Sequence, residues 1–235
     1  MGRVGICCEV SMLSSFVAMP REGHLQQLYH MFAYLKVHHN ARIVFDQSYP
    51  EINEEDFPKR NWMSHYGDVK EDLLLNAPAA LGMEFIIKAY VDSDHAGDKV
   101  TRRSRTGFLV YFNSAPIYWL SKKQTSVETA SFGSEFVAMK QCCEYLRGLR
   151  YKLRMMGIPV NNPVFTYGDN QSVLWNTSVP DYHYVREGAA RDKWRTCYMK
   201  TLVNPSAVLT KPVPAGMDRK RKVRLIMYDI YPEEE

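Results

Sequence analysis

Phe85-Ile86-Ile87-Lys88-Ala89-Tyr90-Val91-Asp92 is a β-branched and aromatic run that ends in an acid. Such residues suit a pleated, half-buried surface, so the run reads as a strand. A charged turn, Asp98 to Arg105, leads into Thr106-Gly107-Phe108-Leu109-Val110-Tyr111-Phe112, and Asn113-Ser114 turns the chain into Ala115-Pro116-Ile117-Tyr118-Trp119-Leu120. Three strands joined this closely predict an antiparallel meander. Residues 132–156 follow as a long helix. Phe132, Phe136, Met139, Cys143, Leu146, Leu149, Leu153 and Met156 recur every three or four residues, and Gly157 with Pro159 stop it. Val164-Phe165-Thr166-Tyr167-Gly168-Asp169 is another strand ending in an acid, and Asn170 to Trp175 reads as a short helix. A last strand from Trp194 to Leu202 and a terminal strand or helix around Val223–Tyr231 close the series. The order βββαβαβ predicts an α/β fold, a mixed five-stranded sheet flanked by helices.

Upstream the pattern differs. Residues 24–38 read as an amphipathic helix with Leu28, Met31, Phe32 and Leu35 on one stripe, and Ala41 to Asp46 as a short strand. Gln47 to Met83 is polar, contains proline and lacks periodicity, which predicts an irregular linker with a boundary near residue 80. The expected division is therefore a small helical and irregular segment at 1–46, a linker at 47–84 and the α/β domain at 85–235. The spacings of His24, His30, His38 and His39 do not converge on one helix face with a third ligand, so ordinary histidines are expected there.

Composition excludes more than it selects. With 235 residues, 46% hydrophobic and 24% charged, and only 13 Gly and 12 Pro, wholesale disorder, a coiled-coil rod and a collagen-like repeat are ruled out. No apolar run approaches the about 18 residues that suggest a membrane span, and Met1 to Cys8 has no signal-peptide pattern. Five cysteines, four of them in adjacent pairs, suit reduced thiols and an intracellular, cytoplasmic setting, with a particle or the nucleus as alternatives. Residues 1–84 hold 7 Lys+Arg against 11 Asp+Glu, and residues 85–235 hold 23 against 15, so the overall +4 conceals a basic C-terminal portion suited to a polyanion.

Three carboxylates are placed informatively. Asp92 and Asp169 end strands, and Glu135 sits near the start of the long helix. If the two strands are parallel neighbours, both aspartates emerge at one carboxyl edge, where open α/β sheets bind ligands. A helix returning from the third strand can bring Glu135 to that edge. Hard divalent cations want such oxygens, and two ions about 4 Å apart suit in-line displacement at a phosphodiester. Acids are also common at strand ends and in first helical turns, where the helix dipole favours them, so spacing alone leaves both readings open.

Longer motifs carry a resemblance. Tyr90-Val91-Asp92-Ser93-Asp94-His95-Ala96-Gly97 and Thr101-Arg102-Arg103-Ser104-Arg105-Thr106-Gly107-Phe108 resemble the opening of the ribonuclease H domain of copia-type retrotransposon polyproteins. Tyr118 to Gln124, Gly133 to Ala138, Gly168 to Ser172, Tyr182 to Glu187 and Leu209-Thr210-Lys211-Pro212 continue it in the family's order, over roughly residues 85–231. Glu9 to Leu13, through to Phe45-Asp46, is similar to the tail of the reverse transcriptase that precedes the nuclease. The resemblance implies a ribonuclease H-like sheet and, for the chain, a C-terminal piece of a pol polyprotein with the upstream reverse transcriptase as partner. It implies an endonuclease cutting the RNA strand of RNA–DNA hybrids, with Asp92, Glu135 and Asp169 as catalytic residues holding two Mg²⁺ (or Mn²⁺) ions. Arg102, Arg103, Lys122 and Lys123 are candidate phosphate contacts, with solvated turn charges as the equal alternative for each one alone. Asn170 and Gln171 are expected to reach base edges or 2′-hydroxyls, unless Asn170 instead caps the short helix. Asp94 is expected past the strand end and outside the site.

Two departures bear on activity. Within Asn204-Pro205-Ser206-Ala207 the family has a fourth acid where this chain has Ala207, and Pro180-Asp181 runs directly into Tyr182-His183 where the family has a longer basic segment. Both point to impaired activity with a weakened second ion site, and the alternative is a catalytically dead, nucleic-acid-binding remnant of a transposable element. An integrase-like nuclease on the same sheet would need a late-helix acid, and Glu187 lacks an evident apolar helical frame.

Overall fold

The computed structural model describes residues 3–59, 61–72, 75–175, 183–214 and 216–228. Its centre is a five-stranded sheet: β1 (Ile87–Asp94), β2 (Arg105–Phe112), β3 (Ala115–Lys123), β4 (Val164–Gly168) and β5 (Trp194–Tyr198). The spatial order is β3-β2-β1-β4-β5. The meander is antiparallel, β4 runs parallel to β1, and β5 runs parallel to β4. This is the mixed five-stranded sheet flanked by helices that the sequence predicts.

The period-two alternation of the strands explains the two cores. Ile87, Ala89 and Val91 of β1, with Phe108 and Val110 of β2, face the long helix α4 (Ser131–Met155) and its Phe136, Met139, Cys143, Leu146 and Leu153. The intervening residues Tyr90, Leu109 and Tyr111 face a second cluster made by Val4, Val208, Leu209, Val213, Ile226 and Met227. Both sheet faces are thus covered, as a sheet containing parallel strands requires. Gly157 adopts a left-handed φ of 72° just past α4, which is how that helix ends.

The second cluster is built by the chain's two ends. Residues 4–16 form a short 3-10 turn, α1 (Cys7–Leu13) and another 3-10 turn, followed by α2 (Glu22–Val37). The predicted strand at Ala41–Asp46 does not form. Only Arg42 bridges Tyr228; Ala41 and Ile43 pack on the second cluster, while Arg42, Val44 and Phe45 are exposed. The α2 stripe is not buried either: Leu28 is 38% and Phe32 58% exposed. Within residues 47–84 lie a 3-10 turn and α3 (Met63–Tyr66), and Phe57 and Glu71 are among the side chains that anchor the segment. Phe57 is buried edge-on against Phe165 and Tyr167, and Glu71 reaches Arg150 and Arg154 of α4.

Boundaries shift where hydrogen-bond ladders extend past the apolar runs. β1 continues to Asp94 and β3 to Lys123, whereas β5 stops at Tyr198, short of Leu202. After β4 come α5 (Gln171–Trp175) and α6 (His183–Ala190), and α7 (Met217–Arg224) precedes the Tyr228 bridge. The shortened segment at Pro180–Tyr182 lies outside the described residues, as does Asp229 onward.

Candidate metal centre

Val91 of β1 pairs with Gly168 of β4 in parallel register. Asp92 and Asp169 are each one residue further on, so two neighbouring strands deliver both aspartates to the same carboxyl edge. Glu135 projects from the second turn of α4, which starts at Ser131, one residue earlier than expected. Ligand oxygens of the three acids all lie within 4.8 Å of one another, and no other group of three or more His, Cys, Asp or Glu among the described residues clusters in this way. The histidines of residues 24–39 therefore form no such group.

The electrostatics follow from burial. Asp92 is 2% exposed. Burial, then the Asp169 carboxylate, push its pKa up to about 7, against a hydrogen bond from Thr210 and the charge of Lys211. Burial, then Asp92 and Asp169, push Glu135 up to about 9, with Ser93 working in the opposite direction. Like charges this close disfavour ionisation of one another, and a cation among them removes that penalty. Asp169 Oδ1 is buried with no hydrogen-bond partner among the described residues. Beside these acids a small cavity of about 10 Å³, lined by Val91, Glu135, Met139, Gly168 and Asp169 among others, has room for a water-sized occupant. Clustered carboxylates, an orphaned oxygen and a small cavity fit a hard divalent cation.

Asp94 takes another role. It lies on β1, not beyond it as expected, and its carboxylate accepts the Arg105 backbone N–H across the β1–β2 pair. It is not one of the clustered acids. Ala207 lies fully buried in a 3-10 turn, Pro205–Leu209, and its carbonyl oxygen stands 3.1 Å from Thr210 Oγ1. That same hydroxyl donates to Asp92 Oδ2, so position 207 adjoins the centre without supplying a carboxylate.

Register brings the basic residues to the same end of the sheet. Asp94 pairs with Arg105 and Arg105 with Lys123, while Ser93 pairs with Thr106 and Thr106 with Lys122. With strands about 4.8 Å apart, Lys122 lies on the order of 10 Å from the Asp92 end of β1. Arg102 and Arg103 are exposed in the preceding turn, Arg102 with a left-handed φ of 57°. Asp98 organises that turn by accepting the N–H groups of Val100 (2.9 Å) and Thr101 (3.0 Å). The Thr101 amide and Lys123, 3.1 Å away, hold the Asp98 carboxyl well below the usual range. Lys123 is therefore already paired within the protein, whereas Lys122 is exposed. Asn170 Oδ1 accepts the Val173 N–H at 3.2 Å, which is the capping alternative, and Gln171 is exposed at the start of α5.

Some sequence expectations resolve differently. Within the basic C-terminal portion, Arg219 binds Glu9 (2.8 Å) and the Gly5 carbonyl (2.7 Å), and Lys222 is buried beside Asp218, so both are engaged inside the protein. Glu187 does sit on a helix, α6, where it pairs with Arg191 at 2.9 Å and takes no part in the acidic cluster. The residues missed are hydroxyls. Thr210, within a quoted motif, orients Asp92, and Thr201 donates to Asp169 Oδ2 at 2.7 Å with no local pattern to announce it.

No protein-family model matches the chain. The chain is similar to retrovirus-related Pol polyproteins from transposons. It is 27% identical over 222 residues to that of transposon RE1 of Arabidopsis thaliana, covering 90% of this chain and 13% of the relative. It is 31% identical over 144 residues to that of transposon TNT 1-94 of Nicotiana tabacum, covering 57% of this chain and 11% of the relative. The chain thus spans about an eighth of the length of these two polyproteins. Among solved structures, the N-terminal RNase H domain of rv2228c from Mycobacterium tuberculosis aligns with a TM-score of 0.41 at 10% identity, over 60% of this chain and 96% of that one.

Proposed function

We propose that this homologue of transposon Pol polyproteins is the ribonuclease H portion of such a polyprotein, a metal-dependent endonuclease that cuts the RNA strand of RNA–DNA hybrids during reverse transcription. The observation that carries the reading is the meeting of Asp92, Glu135 and Asp169 within 4.8 Å at the carboxyl edge of β1 and β4. These three acids would hold Mg²⁺ or Mn²⁺. When bound, such ions supply Lewis-acid stabilisation of phosphoryl oxygens and water of lowered pKa.

The remaining residues bind and orient. Arg102, Arg103 and Lys122 offer phosphate contacts beside the acids, with Lys123 anchoring their turn through Asp98. Gln171, exposed beside Asp169, is the better placed of the Asn170–Gln171 pair to reach a 2′-hydroxyl, since Asn170 caps α5. In this reading residues 1–46 derive from the end of the reverse transcriptase, residues 47–84 link it to the nuclease at 85–235, and the upstream polymerase is the partner. No helix among the described residues is long and apolar enough to cross a membrane, and the reading places the protein inside the cell with the replicating element.

The absent carboxylate at Ala207 favours weak activity with a poor second ion site. It equally supports the second reading, a remnant that binds nucleic acid without cutting it. A labelled RNA–DNA hybrid with Mg²⁺ or Mn²⁺ separates them. We expect slow cleavage of the RNA strand that is lost in Asp92→Asn. Hybrid binding without cleavage in the parent chain would establish the remnant.

A further inference from the structure

We infer that Thr201 and Thr210 determine which cation the cluster accepts, by restricting each aspartate to one ligating oxygen; this rests on the metal-centre reading above. Thr210 donates its hydroxyl proton to Asp92 Oδ2, and Thr201 donates to Asp169 Oδ2 at 2.7 Å. An oxygen engaged in this way has part of its charge committed, and its carboxylate cannot rotate to grip an ion with both oxygens. The second oxygen is left as the ligand. For Asp169 that atom, Oδ1, is buried and has no hydrogen-bond partner among the described residues. One oxygen from each aspartate suits a small octahedral ion that keeps several waters, such as Mg²⁺ or Mn²⁺. Ca²⁺, with six to eight oxygens and a readiness for two-oxygen carboxylate contacts, is disfavoured.

The brace on Asp92 is built into the fold. Thr210 is fully buried and follows the 3-10 turn Pro205–Leu209. Asn204 ties this turn to the strand residue before Asp92, donating from Nδ2 to the Val91 carbonyl at 2.9 Å. Asn204 Oδ1 in turn accepts from the Ser206 N–H (3.1 Å) and the Ser206 hydroxyl (2.6 Å). A hydroxyl has a single proton, and of the two acceptors beside Thr210 the carboxylate is stronger than the Ala207 carbonyl. Gly107, paired with Asp92 across the sheet, makes the approach feasible. A Cβ there would stand 2.7 Å from Thr210 Cγ2 and 2.8 Å from Leu209 Cβ. Where a fourth acid is missing, the turn that would carry it positions Asp92 instead.

Calorimetric titration of the full chain with Mn²⁺ and separately with Ca²⁺ tests this, without any nuclease readout. Thr201→Val and Thr210→Val remove the hydroxyls at nearly constant shape. Each is expected to weaken Mn²⁺ by roughly 10-fold or more, the scale typical of lost support around metal ligands. Ca²⁺ should weaken less, so that the Mn²⁺/Ca²⁺ affinity ratio falls, and Thr210→Ser should restore it. Thr201 is on the surface, so its variant decides the matter even if Thr210→Val fails to fold. Wild-type affinities and ratio in the valine variants would overturn the inference while leaving the metal centre standing. Absence of saturable Mn²⁺ binding in the parent chain would remove the metal-centre reading and this inference with it.

Discussion

Asp92 and Glu135 are buried carboxyls whose pKa values are raised by desolvation and by neighbouring acids. A carboxyl raised in the native state binds more protons folded than unfolded. Its contribution to stability is therefore fully present below the unfolded pKa near 4 and is lost as pH rises through the folded value, about 7 for Asp92. Asparagine cannot titrate, so Asp92→Asn should gain thermal stability relative to the parent as pH increases from 5 to 8 without metal. Melting curves of both proteins across that range check the sign; a difference that shrinks with pH contradicts the raised pKa. Saturating Mn²⁺ should abolish the trend, because the cation replaces the protons. The identity of the three acids was legible in the sequence because each closes an apolar run or opens a helix. The raised pKa values of Asp92 and Glu135 were not, since they depend on distances between residues up to 77 positions apart.

At the level of elements, α6 and β5 show how tightly one junction is specified. Trp194 is 1% exposed, with Nε1 donating to the Val185 carbonyl at 3.0 Å, and it lies against Gly188 of α6. A Cβ at Gly188 would fall 1.9 Å from the indole Cζ2. Gly188→Ala gains about 1 kcal/mol in helix propensity. It must also displace a pinned ring, and overpacking of that kind costs about 1–3 kcal/mol, so the net effect should be destabilising. A lower urea midpoint with an unchanged slope checks this. The strands and α4 were readable from periodicities of two and 3.6, whereas α6 was obscured because its apolar contacts are few. The predicted strand at Ala41–Asp46 had the right residue types, yet only an isolated bridge to Tyr228 resulted.

Across the whole molecule, residues 47–84 are held to the sheet domain by a charge cluster as well as by Phe57. Arg150, with a side chain 2% exposed, donates to both oxygens of Glu71, and Arg154 donates to one of them as well. Burial alone would raise the Glu71 carboxyl, but the two guanidinium groups outweigh it and hold the pKa below its ordinary value. Removing one partner of a buried pair leaves the other charge uncompensated, at a cost of about 3–5 kcal/mol. Glu71→Ala should fall at the lower end, about 3 kcal/mol, because its carboxylate is 16% exposed. Denaturant titration checks the size. Glu71→Ala combined with Arg150→Met should recover part of the loss, since the more deeply buried of the two stranded charges is then gone.

The sequence by itself determined the strands, the long helix, the acids and the family they resemble, because these rest on local periodicity and contiguous motifs. Tertiary structure alone decided what those residues meet. The parallel register of Val91 with Gly168 set Asp92 beside Asp169, and the helix crossing added Glu135. A buried turn then brought Thr210 to Asp92 across 118 positions of chain. Hydrogen-bond partners at such separations leave no periodic trace, since their geometry exists only once the sheet has formed and its faces have been covered.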